Sequence, residues 1–275
     1  MKDNNNLDGA HTSNVWASIR IGGHKMESAY TMTVLLFGLV LGSFFNVVGL
    51  RVPMKESIVR PPSHCTSCKR QLMALDLVPV LSYVFLGGKC RSCGQKISWI
   101  YPLMELITGL LFAFAYWKVG FSAEFFVALL LISLLVIIVV SDFAYMLIPD
   151  KVLLFFLPLL IFGRVISPLS PWWDSIVGAV VGFGILYCIA VLSKGGMGGG
   201  DIKLFFLLGL VLGTIHTILT LFVAAVIGMI VGIVVLKIRG QERKTPIPFG
   251  PSIALAAIII YFYGDALMNW YLGFW

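Results

Sequence analysis

The chain has 275 residues, of which 59% are hydrophobic and 12% charged, with a formal net charge of +7 and a mean hydropathy of +0.96. Soluble domains carry about twice that share of charge, so the composition excludes an ordinary soluble protein and indicates one that crosses a membrane several times. The positive balance reads as a topological signal and an attraction to anionic lipid, with no nucleic-acid partner implied.

Residues 1–25, "MKDNNNLDGAHTSNVWASIRIGGHK", are polar and aperiodic, and no apolar core follows a basic start before Met26, which argues against a signal peptide. They are expected to be an appended leader or a disordered tail, with Met26 or Met32 as the natural start. Apolar runs then predict spans at Tyr30–Leu50, Tyr101–Trp117, Ala123–Val140, Val152–Ile166, Ser175–Leu192, Ile202–Leu212, Thr217–Leu236 and Phe249–Trp270. The sixth is short enough to be a half-span, or to join the seventh through "GTIHT". The expected fold is an all-α polytopic membrane protein with about eight transmembrane helices and a small zinc-knuckle loop domain. It divides into an N-terminal region, 26–120, holding the loop 51–99, and a second region, 121–275.

Basic residues set the orientation. Arg51–Trp99 carries eight of them, and with eight spans the same side also holds Lys151, Lys194, Lys203, Lys237, Arg239, Arg243 and Lys244, which makes 15 of the 20 Lys and Arg residues. The cysteine loop is therefore expected in the cytoplasm and the N-terminus outside.

Within that loop, "HCTSCKRQ" and "GGKCRSCGQ" supply Cys65, Cys68, Cys90 and Cys93, two CxxC pairs 21 residues apart. That spacing suits a single four-thiolate structural zinc, and a reducing cytoplasm disfavours disulfides; a redox dithiol and bystander thiols are the alternatives. His64 is expected to neighbour the metal, and Cys188, in mid-span, to be a small packing residue. No internal repeat is evident.

Two aspartates are expected at one face of the membrane. Asp142 ends the third span in "VVSDFAYMLIPDK", and Asp201 opens the sixth after "SKGGMGGG"; two spans and two turns return the chain across the 59 residues between them. Paired carboxylates share a proton, the arrangement with which an aspartic protease activates water and protonates a peptide carbonyl. The glycines allow positive φ and a close backbone approach. Helix capping, the expected role of Asp150, and ion or proton translocation would use such residues equally well.

In order, "LGSFFNVVGLRVP", both CxxC pairs with "DLVPVLSYVFLGGKC", "ISWIYPLMEL", "SDFAYMLIPD", "GMGGGDIKL" and "IPFGPSIAL" make the chain resemble the bacterial type IV prepilin peptidases from about Phe37 to Pro251. The resemblance implies a multi-pass enzyme of the bacterial cytoplasmic membrane, a GxGD aspartic endopeptidase that cuts the basic leader from prepilins or pseudopilins. By position it implies Asp142 and Asp201 as the catalytic dyad, with Gly198 and Gly200 as motif glycines. It further implies N-methylation of the new N-terminus with S-adenosylmethionine, in the N-terminal region, where Asn46, Arg51, Gly88 and Glu105 are the candidates. An acid inside a span needs a partner, and Arg51 is the candidate for Glu105; a purely structural ion pair is the alternative. Presenilin-like GxGD proteases and a zinc-stabilised proton-coupled transporter are the competing classes.

Overall fold

The computed structural model describes residues 8–193, 198–239 and 248–273, with side chains from residue 27 onward except 238 and 239. The side chains of the whole leader and of Arg239, the glycine-cluster residues 195–197, and Lys194, Arg243 and Lys244 lie outside the described residues. The helices are α1 (Asp8–Arg51), α2 (Leu81–Phe85), α3 (Ile100–Val119), α4 (Ala123–Tyr145), α5 (Asp150–Ile166), α6 (Asp174–Leu192), α7 (Gly199–Leu212), α8 (Thr214–Arg239) and α9 (Gly250–Leu272). Among the described residues, extended pairing is confined to two isolated bridges in the cysteine loop.

Each of the eight apolar runs is a helix, but the expected count of eight spans is not reached. Among the described residues, six helices are long and apolar enough to cross a membrane: Glu27–Arg51 of α1, Thr214–Lys237 of α8, and α3, α4, α6 and α9. The two that fall short are α5, with 17 residues, and α7, with 14. At about 1.5 Å per residue α7 is roughly 21 Å long, less than the hydrocarbon core. Gly213 ends it at φ +78°, and α8 begins at the next residue. Asp174 fixes that break, accepting from the Thr214 N–H at 3.2 Å and its hydroxyl at 2.6 Å.

The central helix is α4, apolar on every side, with Val127, Ala128, Leu134, Leu135 and Ile138 wholly buried. Ser122 caps its start by accepting from the Phe125 N–H. Outward faces carry exposed apolar side chains such as Leu36, Phe155, Val180 and Phe222, as lipid contact requires.

Small residues allow the tightest contacts. Gly38 and Gly42 lay α1 on α3, and Gly178 and Gly182 lay α6 on α7, both GxxxG spacings. A Cβ on Gly178 would stand 2.5 Å from Gly209 O, whereas one on Gly184 would meet nothing. At the end of the bundle remote from the cysteine loop, Arg164 is buried and fully used. It donates twice to Val211 O, at 3.0 and 2.6 Å, and once to Glu124 Oε2 at 2.7 Å. Glu124 also accepts from Ser167 and Tyr261, so four helices meet there.

Gly178→Leu is expected to destabilise the detergent-solubilised protein by about 3 kcal/mol or more, because backbone cannot yield as a flexible side chain does. Gly184→Leu should leave the melting temperature within error. Equal shifts for the two would refute the backbone contact.

Candidate active site and cysteine centre

Gly49 of α1 lies against Val140 of α4, so the C-terminal ends of both helices, and the cysteine loop that follows α1, share one end of the bundle. Asp142 is at that end and buried. It is held by the turn that follows. The Ser141 hydroxyl donates to Leu147 O at 2.5 Å, and Met146 ends α4 in the left-handed region at φ +51°. The Gly250 N–H, at the start of α9, donates to Asp142 Oδ2 at 2.7 Å. A Cβ on Gly250 would be only 2.8 Å from that oxygen. Nothing in the sequence marked Gly250 as part of this site, although "FGPS" contains a helix-start signal, Pro251.

Asp201 lies in the first turn of α7, near enough to Asp142 for the two charges to interact. The motif glycines act by close approach, not by the positive φ expected of them: Gly198 has φ −69°. A Cβ there would stand 3.0 Å from Asp201 Oδ2, and one on Gly200 would stand 2.7 Å from Ile148 Cβ. The two aspartate motifs thus touch through Gly200 and Ile148. They touch again through Lys203 and Asp150, paired at 2.7 Å. This corrects the capping role expected of Asp150. Pro149 is the cap residue of α5, without a side-chain hydrogen bond, and Asp150 reaches across to α7.

The four sulfurs of Cys65, Cys68, Cys90 and Cys93 lie within 4.8 Å of one another. Cys65–Cys93 is 3.7 Å and Cys68–Cys90 is 4.0 Å. A tetrahedron with Zn–S bonds of about 2.3 Å has edges of about 3.8 Å, so the donor set fits one zinc-sized thiophilic ion. The backbone N–H groups of Cys68 and Ser67 hold the Cys65 thiol down at about 6, and those of Cys93 and Ser92 lower Cys90. His64 turns its Nδ1 to Pro62 O, outside the sulfur cluster.

The loop contains a repeat that its sequence conceals. Cys65 N–H bonds Arg70 O and Cys90 N–H bonds Gln95 O; Leu72 N–H bonds Ser63 O and Ile97 N–H bonds Gly88 O. The turns pass through Lys69 at φ +57° and Gly94 at φ +69°. These are two equivalent knuckles offset by 25 positions, sharing only C-x-S-C. Asp76, 5% exposed, joins them, accepting from Arg91 at 2.9 Å and Arg70 at 3.4 Å. Cys188, expected to pack internally, is exposed on α6.

Of the four methyltransferase candidates, Asn46 and Glu105 come together between α1 and α3. Asn46 Nδ2 donates to Tyr101 O at 3.1 Å, one helical turn from Glu105. Its Oδ1 is buried with no partner among the described residues. Contrary to expectation, Arg51 is not the partner of Glu105: it reaches the loop carbonyls of Ser57 and Pro61. Glu105 instead faces Ser43 and accepts the Val80 N–H at 2.8 Å. That N–H belongs to a γ-turn: Leu81 N–H bonds Pro79 O at 2.5 Å across Val80, whose φ is +60°. Such a turn is strained, more so for a β-branched residue. Gly88 stands apart in the second knuckle, at φ +69° under the Tyr83 ring.

The fold and this site define a polytopic membrane protein with two neighbouring carboxylates and a four-cysteine loop at the same end. The bacterial peptidase A24 N-terminal domain matches residues 36–119, and the type IV leader peptidase family matches residues 129–233. Relatives called prepilin leader peptidase/N-methyltransferase are similar along almost their whole length. The Bacillus subtilis protein is 44% identical over 87% of this chain and 96% of its own. That of Pseudomonas aeruginosa is 34% identical over 90% and 94%, and that of Legionella pneumophila 32% over 89% and 95%. The chain belongs to the type IV leader peptidase family. No solved structure matches it.

Glu105→Leu should destabilise the protein by about 1–3 kcal/mol, since it orphans the Val80 N–H. Glu105→Gln keeps an acceptor and should lose less than half as much in thermal melts. Similar losses for both would mean that the turn does not depend on this bond.

Proposed function

We propose that this chain is a membrane aspartic endopeptidase that removes the basic leader from type IV prepilins or pseudopilins and then N-methylates the exposed residue. The observation that carries the peptidase reading is the convergence of Asp142 and Asp201, each with a glycine against its carboxylate. The names of the relatives support the substrate class and the second activity. The basic-residue bias supports a cytoplasmic cysteine loop and dyad in a bacterial inner-membrane protein.

Asp142, served by the Gly250 N–H at an α9 N-terminus, is suited to carry the negative charge. It takes a proton from a water molecule as the hydroxyl adds to the scissile carbonyl carbon. Asp201 holds the other proton and gives it to the carbonyl oxygen. Collapse of the tetrahedral diol returns that proton to Asp201, and Asp142 passes its proton to the leaving amine.

For methylation, Asn46 Oδ1, beside Tyr101, and the Glu105 carboxylate, one helical turn further along α3, are two acceptors between α1 and α3, a pair that fits a cationic group. They would hold S-adenosylmethionine, which when bound supplies an electrophilic methyl group. Arg51, through Ser57 and Pro61, shapes the loop entrance beside them, and Gly88 keeps the second knuckle turned. Cys65, Cys68, Cys90 and Cys93 would hold one structural zinc, whose closed four-sulfur shell leaves no position for substrate.

Asp142→Asn and Asp201→Asn should each abolish cleavage of a prepilin with a Gly–Phe junction, read by mass. Methyl transfer to a pre-cleaved peptide should survive in both. Gly250→Ala should lower the cleavage rate about tenfold or more with the fold intact, since its methyl displaces Asp142. Undiminished cleavage in either aspartate variant would refute the dyad.

Metal analysis of chelator-free purified protein should find about one zinc per chain, lost in a Cys65→Ser, Cys90→Ser double variant. An equal metal content in that variant would refute the four-sulfur site.

A further inference from the structure

Helices α5 and α7, with Phe183 of α6, line an open-sided cavity of about 510 Å³ that the peptidase chemistry does not use. Its walls are leucine and phenylalanine side chains of the three helices. Its charged residues, Asp150, Lys151 and Lys203, all belong to the first two turns of α5 and α7, at the dyad end. Helical geometry separates it from the dyad. At about 100° per residue, the lining residues Lys203, Phe206 and Leu207 stand roughly 200°, 140° and 240° around α7 from Asp201. The opposite face of α7, with Leu204, Phe205 and Leu208 wholly buried, points into the core.

We propose that this cavity holds one acyl chain of an anionic phospholipid, with the lipid phosphate at Lys151 and Lys203. Leu154, 70% exposed, opens the cavity onto the lipid-facing surface, so a chain enters sideways from the bilayer. The apolar walls suit hydrocarbon and offer nothing to a polar ligand. The charge at the mouth is complementary to a phosphate. Lys203 is shared with Asp150, and Lys151 has no ion-pair partner among the described residues, which leaves one net positive charge. A zwitterionic choline lipid would bring a second cation to the same spot. A substrate helix in this cavity would have its scissile bond on the wrong face of α7. The bound phosphate would compete with Asp150 for Lys203 and so bear on the contact that joins the two aspartate motifs.

The test uses the full chain, delipidated in detergent and titrated with phosphatidylglycerol or phosphatidylcholine of identical acyl chains, with retained lipid read by native mass spectrometry. One phosphatidylglycerol should be retained about tenfold more strongly than phosphatidylcholine, the scale expected for lysines at a phosphate. Lys151→Gln with Lys203→Gln should remove that preference, and Leu157→Trp should reduce retention of both lipids by filling the cavity. Equal retention of the two lipids by the unaltered chain, or a preference unchanged in the lysine variant, would overturn the proposal. A photo-crosslinking residue in place of Leu154, in phosphatidylglycerol vesicles supplied with prepilin, should label phospholipid. Labelling of prepilin there would overturn the proposal in favour of a substrate groove.

Discussion

The hydrogen bond from Gly250 N–H to Asp142 Oδ2 joins residues 108 positions apart and sets the terms for the rest of the bundle. A buried carboxylate at the edge of hydrocarbon needs a donor, and a helix start has N–H groups with no partner of their own. The start of α9 must therefore sit directly against the end of α4, which no side chain at position 250 would permit. Asp201 obeys the same steric rule through Gly198. Both acids are accommodated by the lack of a Cβ beside them, and neither is paired with an opposite charge among the described residues.

Around that contact, the loop motifs fall into a consistent scheme. Ser141 ties down the turn after α4, and this presents Ile148 to Gly200 and Asp150 to Lys203. In the other half, the γ-turn at Val80 is held in a strained form by Glu105, so the cysteine loop is latched to α3 inside the bundle. The paired knuckles, bridged by Asp76, form a small block with no hydrophobic core of its own, and a metal held by four thiolates is the kind of staple such a block requires.

The eight apolar segments, the sulfur quartet and the shared end of Asp142 and Asp201 were all legible in the sequence, because hydropathy, spacing and span parity are local or countable. What escaped depends on three-dimensional partners. Hydropathy ends α7 at Leu212, where the helix stops, but does not show that Asp174 and the positive-φ Gly213 impose that stop from outside the run. Charge pairing suggested Arg51 for Glu105, yet a backbone N–H satisfies that carboxylate, and backbone donors leave no mark in a sequence. The repeat of the knuckles is one of hydrogen bonds, and Lys69 and Gly94 occupy its equivalent turn positions despite their dissimilarity. The role of Gly250 is a collision avoided, visible once α4 and α9 are in contact.

The two ends of α7 are held differently. Near its C-terminal end, Val211 O accepts two N–H groups from a buried arginine that is also paired with Glu124, and a hydrogen bond to a charged group contributes about 1.5–3 kcal/mol. A cation there also opposes the negative end of the helix dipole. At its N-terminal end, among the described residues, the one ion pair is Asp150–Lys203, whose side chains are 67% and 52% exposed, beside the Gly200–Ile148 contact and the buried Ile202, Leu204 and Phe205. An exposed pair of that kind is worth about 0–1 kcal/mol. The polar ties of α7 are therefore strong at the end away from Asp201, and at the end that carries Asp201 the helix is held chiefly by the packing of Ile202, Leu204 and Phe205 and by the close approach of Gly200 to Ile148.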